Sequence, residues 1–300
     1  MNEPVRLVLI VNPQAGKGHG VRVGAEAERA LRAAGAEVSV LTGRSAEETR
    51  TLARGAARAA PDGIVVVGGD GTLTGIIEVL TENGHPITLV PAGTGNDLAR
   101  ALGIPTDDST KAALAALHGA VRTIDLGTIE SQGAKRVFLT VAALGFDAKV
   151  SERTNTLRRL SGRLRYYLAL IVELVRLRPT VFRISVDGDA DQVQPGTLLA
   201  VGNTRSYGGG MPICPHAQAD DGRLDVVHVA PLSRTRLIRL FPLLLRGRHL
   251  GRPEVRHLQA TSVRVSAPDL VVYADGERVG AGECLIGVRP AAVTIMIPRE

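Results

Sequence analysis

The sequence predicts an α/β + β chain. An N-terminal parallel α/β domain spans residues 1–122, and a C-terminal antiparallel, β-sandwich-like domain with helical insertions spans 123–300. Three observations predict it. Up to about residue 120, short β-branched or aliphatic runs alternate with segments of helical spacing, the rhythm of a parallel sheet covered on both faces. After 123 the strand-like runs follow one another with few helices between them. The chain has 300 residues, 44% of them hydrophobic, enough for two cores at roughly 100–200 residues per domain.

The elements follow in order. Residues 5–11 (VRLVLIV) form a buried strand stopped by Asn12-Pro13, and 21–34 carry helical spacing closed by Gly35. Strand 37–41 and helix 46–59 come next. The apolar run 64–67 ends in Gly68-Gly69-Asp70-Gly71 and is followed by helix 73–80. Strand 86–90 leads through Pro91-Ala92-Gly93-Thr94-Gly95-Asn96-Asp97 into a further short helix. In the second half, strands are predicted at 121–126, 136–142, 181–186, 197–202, 224–229, 262–266, 270–274 and 293–297. Helical insertions are predicted near 155–177 and 233–249. There is no internal repeat and no low-complexity linker.

Composition narrows the function. Lys and Arg number 36 against 30 Asp and Glu, a net charge of +6. That balance suits a phosphate-rich substrate, an anionic membrane or nucleic acid. Aromatic residues are 3% with no Trp, which argues against a stacking platform for single strands. No recognition-helix motif is present, so nucleic acid is not an expected partner. No run of about 18 uncharged apolar residues exists to span a bilayer. The N-terminus carries no basic start followed by a long apolar stretch. Cys214 and Cys284 are far apart in sequence and suggest a reducing compartment. The expected location is cytoplasmic. Cys214-Pro215-His216 offers too few ligands for zinc and is read as loop packing.

Three glycine-rich loops follow three predicted strands, and parallel sheets present ligands at the carboxyl ends of their strands. All three should therefore meet at one rim. The first, Asn12-Pro13-Gln14-Ala15-Gly16-Lys17-Gly18, lets backbone N–H groups turn toward an anion. It is not a Walker A loop, because Gly18 stands where Ser or Thr is required after the lysine. In the second, Gly68-Gly69-Asp70-Gly71-Thr72, the glycines permit close approach to phosphate oxygens. Asp70 can face Mg²⁺ or a reacting hydroxyl. Thr72 can donate to phosphate and also cap the next helix. The helical pattern after Leu73 argues against a hairpin at this Asp-Gly pair. In the third loop Thr94 is the candidate phosphate contact, and Asn96 or Asp97 the helix cap.

These loops, in this order and spacing, resemble the bacterial diacylglycerol/lipid kinase family, which is related to eukaryotic diacylglycerol and sphingosine kinases. The resemblance continues through Gly145-Phe146-Asp147, Val201-Gly202-Asn203 with Gly208-Gly209-Gly210, Asp220-Asp221-Gly222-Arg223-Leu224-Asp225 and Asp275-Gly276-Glu277. It covers essentially the whole chain. The GGDGT loop alone is shared with NAD kinases, whereas its combination with the later segments is specific. The resemblance implies a lipid kinase that uses ATP and Mg²⁺. It puts the ATP site on Asn12, Pro13, Gln14, Ala15, Gly16, Thr42, Gly68, Gly69, Asp70, Gly71, Thr72, Leu73, Thr74 and Thr94. It places a structural Mg²⁺ on Asp221 with the carbonyls of Gln218 and Arg223, donors that suit a hard cation. It makes Glu277 the catalytic base, with Asp70 as the alternative base or an orienting group for Mg-ATP. From spacing alone Glu277 is a turn acid beside the Asp275-Gly276 hairpin.

Two basic segments complete the reading. Seven arginines lie between Arg153 and Arg178, and six between Arg234 and Arg252 with no Asp or Glu among them. Such helices either pack on their own domain with arginine in water or lie on an anionic membrane surface. The expected partners are a lipid substrate and, peripherally, an anionic membrane, with a homodimer left open. The competing readings are a kinase of a soluble hydroxyl compound such as NAD, and a catalytically inactive lipid-binding protein.

Overall fold

The structure is a computed structural model that describes residues 3–82, 84–145, 148 and 179–299. The predicted helix over 155–177 with its arginines, and Phe146-Asp147 of one signature, lie outside the described residues. The chain divides into two compact units, Met1–Asp125 with Ala291–Glu300, and Leu126–Pro290. A single boundary near residue 122 does not describe this division, because the C-terminal residues return to the first unit. The return is pinned there by the backbone N–H of Ala291, which donates to the buried Asp125 carboxylate at 2.8 Å.

The first unit alternates strand and helix: β1 (Arg6–Val11), α1 (His19–Ala33), β2 (Glu37–Thr42), α2 (Ala46–Arg58), β3 (Gly63–Gly68), α3 (Asp70–Thr81), β4 (Ile87–Pro91), α4 (Asp97–Ala101) and α5 (Ser109–His118). The strands lie in the order β2-β1-β3-β4, each neighbouring pair parallel. Every residue of β3 is buried, as its unbroken Ile64–Val67 run requires of a central parallel strand. Helix α1 packs with α5, and α2 with α3. Right-handed crossovers place these pairs on opposite faces of the sheet. The start of α2 follows from its sequence: Ser45 Oγ accepts the Glu48 N–H at 3.1 Å, a cap that contributes about 1 kcal/mol. Helix α5 was not predicted from periodicity. Its N-cap Asp108 accepts the Lys111 N–H at 2.8 Å.

The second unit is a two-layer sandwich. Its elements are β5 (Ala120–Ser131), which begins in the first unit, β6 (Ala134–Phe138), β7 (Val141–Gly145), β8 (Thr180–Val186), β9 (Gln192–Gly196), β10 (Leu198–Gly202), β11 (Leu224–Val229), α6 (Arg234–Leu244), β12 (Val255–Ala260), β13 (Ser262–Ser266), β14 (Val271–Ala274), β15 (Glu277–Ala281) and β16 (Cys284–Ile297). One layer is the antiparallel sheet β12-β11-β10-β7-β14-β15. The other holds β16-β13-β8-β9 and the β5–β6 hairpin, again antiparallel. Phe138, Phe182, Val263 and Ile286 from the second layer meet Leu144, Leu199, Val226 and Val272 from the first in one core. The opposite face of the six-stranded sheet is covered by Leu237 and Leu240 of α6. The end of β16 rejoins the first unit, pairing parallel to β4 through Ile295 and Ile87.

Two strand assignments change. The run 136–142 is two strands, β6 and β7, with Leu139-Thr140 turning the chain between them. Strand 293–297 is only the end of β16. Periodicity cannot find the first break, because Leu139 and Thr140 are as buried as their neighbours.

Candidate active site

The strand order reverses direction between β1 and β3, so the loops at the carboxyl ends of these strands flank a topological switch point, the usual ligand crevice of an open parallel sheet. The first and second glycine-rich loops occupy it. Asn12 donates from Nδ2 to Thr72 Oγ1 at 2.8 Å, and the Asn12 N–H donates to the Val67 carbonyl at 3.0 Å. Because Thr72 Oγ1 accepts here, its hydroxyl hydrogen is left for a further acceptor. Thr72 does not cap the next helix. The N-cap position of α3 is the extended Gly69.

The third loop closes on the second. The Ala92 N–H donates to the Gly68 carbonyl at 2.8 Å. Gly69 and Gly93 sit so close that a Cβ on Gly93 would lie 2.6 Å from the Gly69 Cα. Gly16, at φ 54, brings the first loop against the third, where a Cβ would lie 2.3 Å from the Ala92 carbonyl oxygen. No side chain fits at these positions. The three turns predicted to meet at one rim do so, and their backbones line it.

Asp70 holds the rim together. Its Oδ2 accepts the Asp97 N–H and its Oδ1 the Leu98 N–H, each at 3.0 Å. These N–H groups belong to the first turn of α4, where nothing within the helix can pair them. Asp70 thus does for α4 what a local cap would do, and neither Asn96 nor Asp97 does. Asn96 is the N-cap by position, at φ 53, but its side chain bonds Gly93 instead, accepting its N–H at 2.9 Å and donating to its carbonyl at 3.0 Å. Each Asp70 oxygen retains a lone pair for a cation or a proton.

The remaining predicted nucleotide contacts vary. Thr94 is exposed on the third loop, and Thr42 is exposed at the carboxyl end of β2, level with Val11. Gln14 is exposed, with its N–H donating to Asn12 Oδ1 at 3.0 Å. Pro13, Gly71 and Thr74 are half-buried. Ala15 and Leu73 have side chains in the core, so these two positions can offer a nucleotide only backbone atoms.

The second unit carries the other acids. Asp275 at φ 49 and Gly276 at φ 84 form the two-residue turn of the β14–β15 hairpin, with both residues in the left-handed region that a type I′ turn needs. Glu277 follows as the first residue of β15 and is exposed. The turn is fastened by Asp275. Its Oδ2 accepts the Leu139 N–H at 2.8 Å, and its Oδ1 accepts the Thr140 N–H at 2.9 Å and the Thr140 hydroxyl. Asn203, wholly buried, fixes the same segment, donating from Nδ2 to the Leu139 carbonyl and from its N–H to the Thr140 carbonyl. The DGE and VGN segments are therefore neighbours across the Leu139-Thr140 turn. Sequence reasoning missed the Asp275 clamp, since its partners lie 135 and 136 residues away.

The predicted cation turn precedes β11. Gln218, Asp221 and Arg223 are all exposed. Asp221 Oδ1 accepts the Arg223 N–H at 3.0 Å, and Oδ2 accepts Gln259 Nε2 at 3.1 Å. The same Gln259 amide donates to Oδ2 of the buried Asp225 at 3.3 Å. Two carboxylate oxygens thus accept from one neutral amide group, and carboxylate and carbonyl oxygens at such a turn are the donors a hard cation takes. Among the described residues no group of three or more His, Cys, Asp or Glu side chains is placed to hold a metal, so a cation at this turn would depend on backbone carbonyls. Cys214 and Cys284 are buried and not joined in a disulfide, one in each core of the second unit. Burial pushes the Cys284 thiol above its ordinary value.

Residues 6–129 match the family profile described as diacylglycerol kinase catalytic domain. Residues 140–297 match that of the YegS C-terminal NAD kinase beta sandwich-like domain. The chain belongs to the diacylglycerol kinase family. A diacylglycerol kinase of Mycobacterium tuberculosis (strain CDC 1551 / Oshkosh) is 41% identical over 296 residues, covering 98% of this chain and 96% of its own. One of Bacillus subtilis (strain 168) is 31% identical over 282 residues, covering 92% and 90%. Among solved structures, a diacylglycerol kinase from Bacillus anthracis str. Sterne aligns with a TM-score of 0.73 at 22% identity, covering 99% of this chain and 98% of its own. An NAD kinase from Archaeoglobus fulgidus in complex with ATP aligns with a TM-score of 0.53 at 16% identity, covering 98% and 94%. At such identities the two structures speak for the fold alone, a diacylglycerol kinase and NAD kinase fold. As a member of this family the chain is a kinase. No helix among the described residues is long and apolar enough to cross a membrane.

Proposed function

We propose that the protein transfers the γ-phosphoryl group of Mg-ATP to a hydroxyl of diacylglycerol or a related lipid. The observation that carries this reading is the rim, where three glycine turns meet at a topological switch point and are locked by the Asn12–Thr72 bond and the Asp70 clamp. Phosphoryl transfer needs positioning and charge stabilisation more than covalent chemistry. Backbone without side chains, with a hydroxyl hydrogen to spare on Thr72, suits the grip on phosphate oxygens.

In the reaction the lipid hydroxyl oxygen forms a bond to the γ-phosphorus as the bond from that phosphorus to the β–γ bridging oxygen breaks, and ADP leaves. The hydroxyl proton goes to a carboxylate, and Glu277 is the acceptor in this proposal. The Asp275 clamp keeps Glu277 at a fixed point on the hairpin. Asp221, with the carbonyls of Gln218 and Arg223, would hold Mg²⁺, which would supply positive charge bracing the turn before β11.

The test is turnover by purified protein with Mg-ATP against a panel of dispersed lipids and against NAD. Lipid phosphorylation that drops in both Glu277→Ala and Asp70→Ala supports the proposal. Turnover of NAD without lipid would turn it toward a soluble hydroxyl substrate. Lipid phosphorylation undiminished in both variants would refute the residue assignments. Lipid binding with no turnover at all would leave an inactive lipid-binding protein.

A further inference from the structure

We infer that the outward face of α6, with the turn that follows it, is a docking surface for an anionic lipid bilayer. Helix α6 is fixed to the second unit at its start and along one side. Ser233 Oγ accepts the Arg236 N–H at 3.2 Å. Leu237 and Leu240 are buried, and Leu243 and Leu244 pack beside them. A helix anchored this way normally turns a polar face to water. This one does not. Ile238 is 56% exposed and Leu245 52% exposed, and Pro242 between them is exposed. At about 100° per residue these three positions fall within an arc of about 60° on the side away from the core.

Charge flanks the apolar row. Arg239 and Arg246 lie beside it and are exposed, and exposed Arg248 and Arg252 continue the line through the following turn. No Asp or Glu lies between 234 and 252. Glu254, the next acid along the chain, is engaged by Arg236 at 2.6 Å. The segment therefore offers a hydrophobic row and an excess of guanidinium groups, with Glu254 set against Arg236 and Arg252.

The occupant must accept both. Nucleic acid would take the arginines and leave Ile238 and Leu245 in water. A bilayer with anionic headgroups takes the apolar row at the headgroup–acyl boundary and pairs the arginines with phosphates. This surface goes beyond the phosphotransfer reading, and the two can fail separately.

The experiment is co-sedimentation of the full chain with vesicles of phosphatidylglycerol and phosphatidylcholine, against vesicles of phosphatidylcholine alone. Two double variants are compared, Ile238→Ser with Leu245→Ser, and Arg239→Gln with Arg246→Gln. A charge-matched control carries Arg183→Gln with Arg264→Gln, exposed positions on β8 and β13. Expected results are binding of the wild type to the anionic vesicles, a loss of about tenfold in each α6 variant, and wild-type binding by the control. Salt at 0.5 M should weaken the wild type and the serine variant more than the glutamine variant. Should the serine pair fail to fold, the glutamine pair carries the test alone. Equal binding by wild type and both α6 variants overturns the inference, as does no binding by the wild type. Self-association that the serine pair abolishes, without vesicle binding, overturns it in favour of a second copy of the chain. Phosphorylation of diacylglycerol dispersed in detergent micelles separates the two readings. If α6 variants lose vesicle binding and no protein phosphorylates the lipid, the docking surface stands and the phosphotransfer reading falls. If lipid is phosphorylated and vesicle binding never depended on α6, the reverse holds.

Discussion

Asp70-Gly71 and Asp275-Gly276 are the same dipeptide put to different local use. At 70–71 it opens α3 behind an extended Gly69. At 275–276 both residues adopt positive φ and reverse a hairpin. The following residues decide: Leu73, Ile76, Ile77 and Leu80 are spaced for a helix with a buried face, whereas Arg278 and Val279 continue an extended strand. The two aspartates nevertheless do one job. Each reaches from its own turn to paired backbone N–H groups of a distant loop, Asp97 and Leu98 in one unit, Leu139 and Thr140 in the other. The comparison separates bracing from chemistry. Asp70 and Asp275 each give both oxygens to backbone N–H groups, Asp70 keeping one lone pair on each, while Glu277, two residues past the second clamp, is presented to solvent.

That distinction predicts the largest effect at Glu277. Glu277→Gln should lower kcat by about 10²–10⁴, the usual contribution of a positioned base, with the urea midpoint unchanged because the side chain is exposed. A wild-type rate in this variant would remove Glu277 from the chemistry. Next comes the rim. Gly93→Ala forces apart two backbones, since the new Cβ would sit 2.6 Å from the Gly69 Cα. A displacement of about 1 Å at a reacting centre costs on the order of 10²-fold in rate. The loss should be seen in kcat with ATP while the protein stays folded by circular dichroism. A smaller effect, on stability, is expected at the clamps. Asp275→Ala strands the N–H groups of the buried Leu139 and Thr140, about 3 kcal/mol from urea unfolding at roughly 1–3 kcal/mol for each orphaned donor. Asp70→Ala removes a cap and should cost about 1–2 kcal/mol. If Asp275→Ala loses activity at full stability, that aspartate is a chemical group and the comparison fails.

The sheet of the first unit and its rim were legible because parallel strands announce themselves as unbroken apolar runs and their loops must end at one edge. β3 and the turn after it are the clearest case. The sandwich was legible as a class but less so in detail. β12 and β15 escaped because their residues are half-exposed and carry no apolar alternation. β9 escaped because Gln192-Val193-Gln194-Pro195 reads as a polar connection, although it pairs along β8. Glu277 is a turn acid on spacing alone, and only the family resemblance raised it above that. The clamps were invisible for a simpler reason: a carboxylate that satisfies backbone groups 27 or 135 residues away leaves no local pattern.

The smallest expected effect tests the second unit alone. His228 and His249 are both buried with proton affinities below the ordinary histidine value. At His228 burial is the main cause, aided by the Arg256 cation and opposed by the Pro195 carbonyl. At His249 burial again leads, opposed by the Ile213 carbonyl and aided by His216 and His257. The folded chain therefore holds fewer protons at these sites than the unfolded chain below the unfolded value of 6.5. Stability is complete above that pH and falls as the pH drops toward the depressed folded values, where the loss levels off. Asp187, lowered chiefly by the hydrogen bond from the Thr261 hydroxyl, acts in the same direction but in a more acid window, below its unfolded 3.8. Unfolding followed between pH 7.5 and 5 should thus report the histidines, with a slope of at most about 1.4 kcal/mol per pH unit for each. The paired variant His228→Gln with His249→Gln should flatten that slope even where it lowers stability overall. A wild-type curve already flat across this range would mean that the two rings take up protons inside the fold as readily as in the unfolded chain, and that their burial is not what sets their affinity.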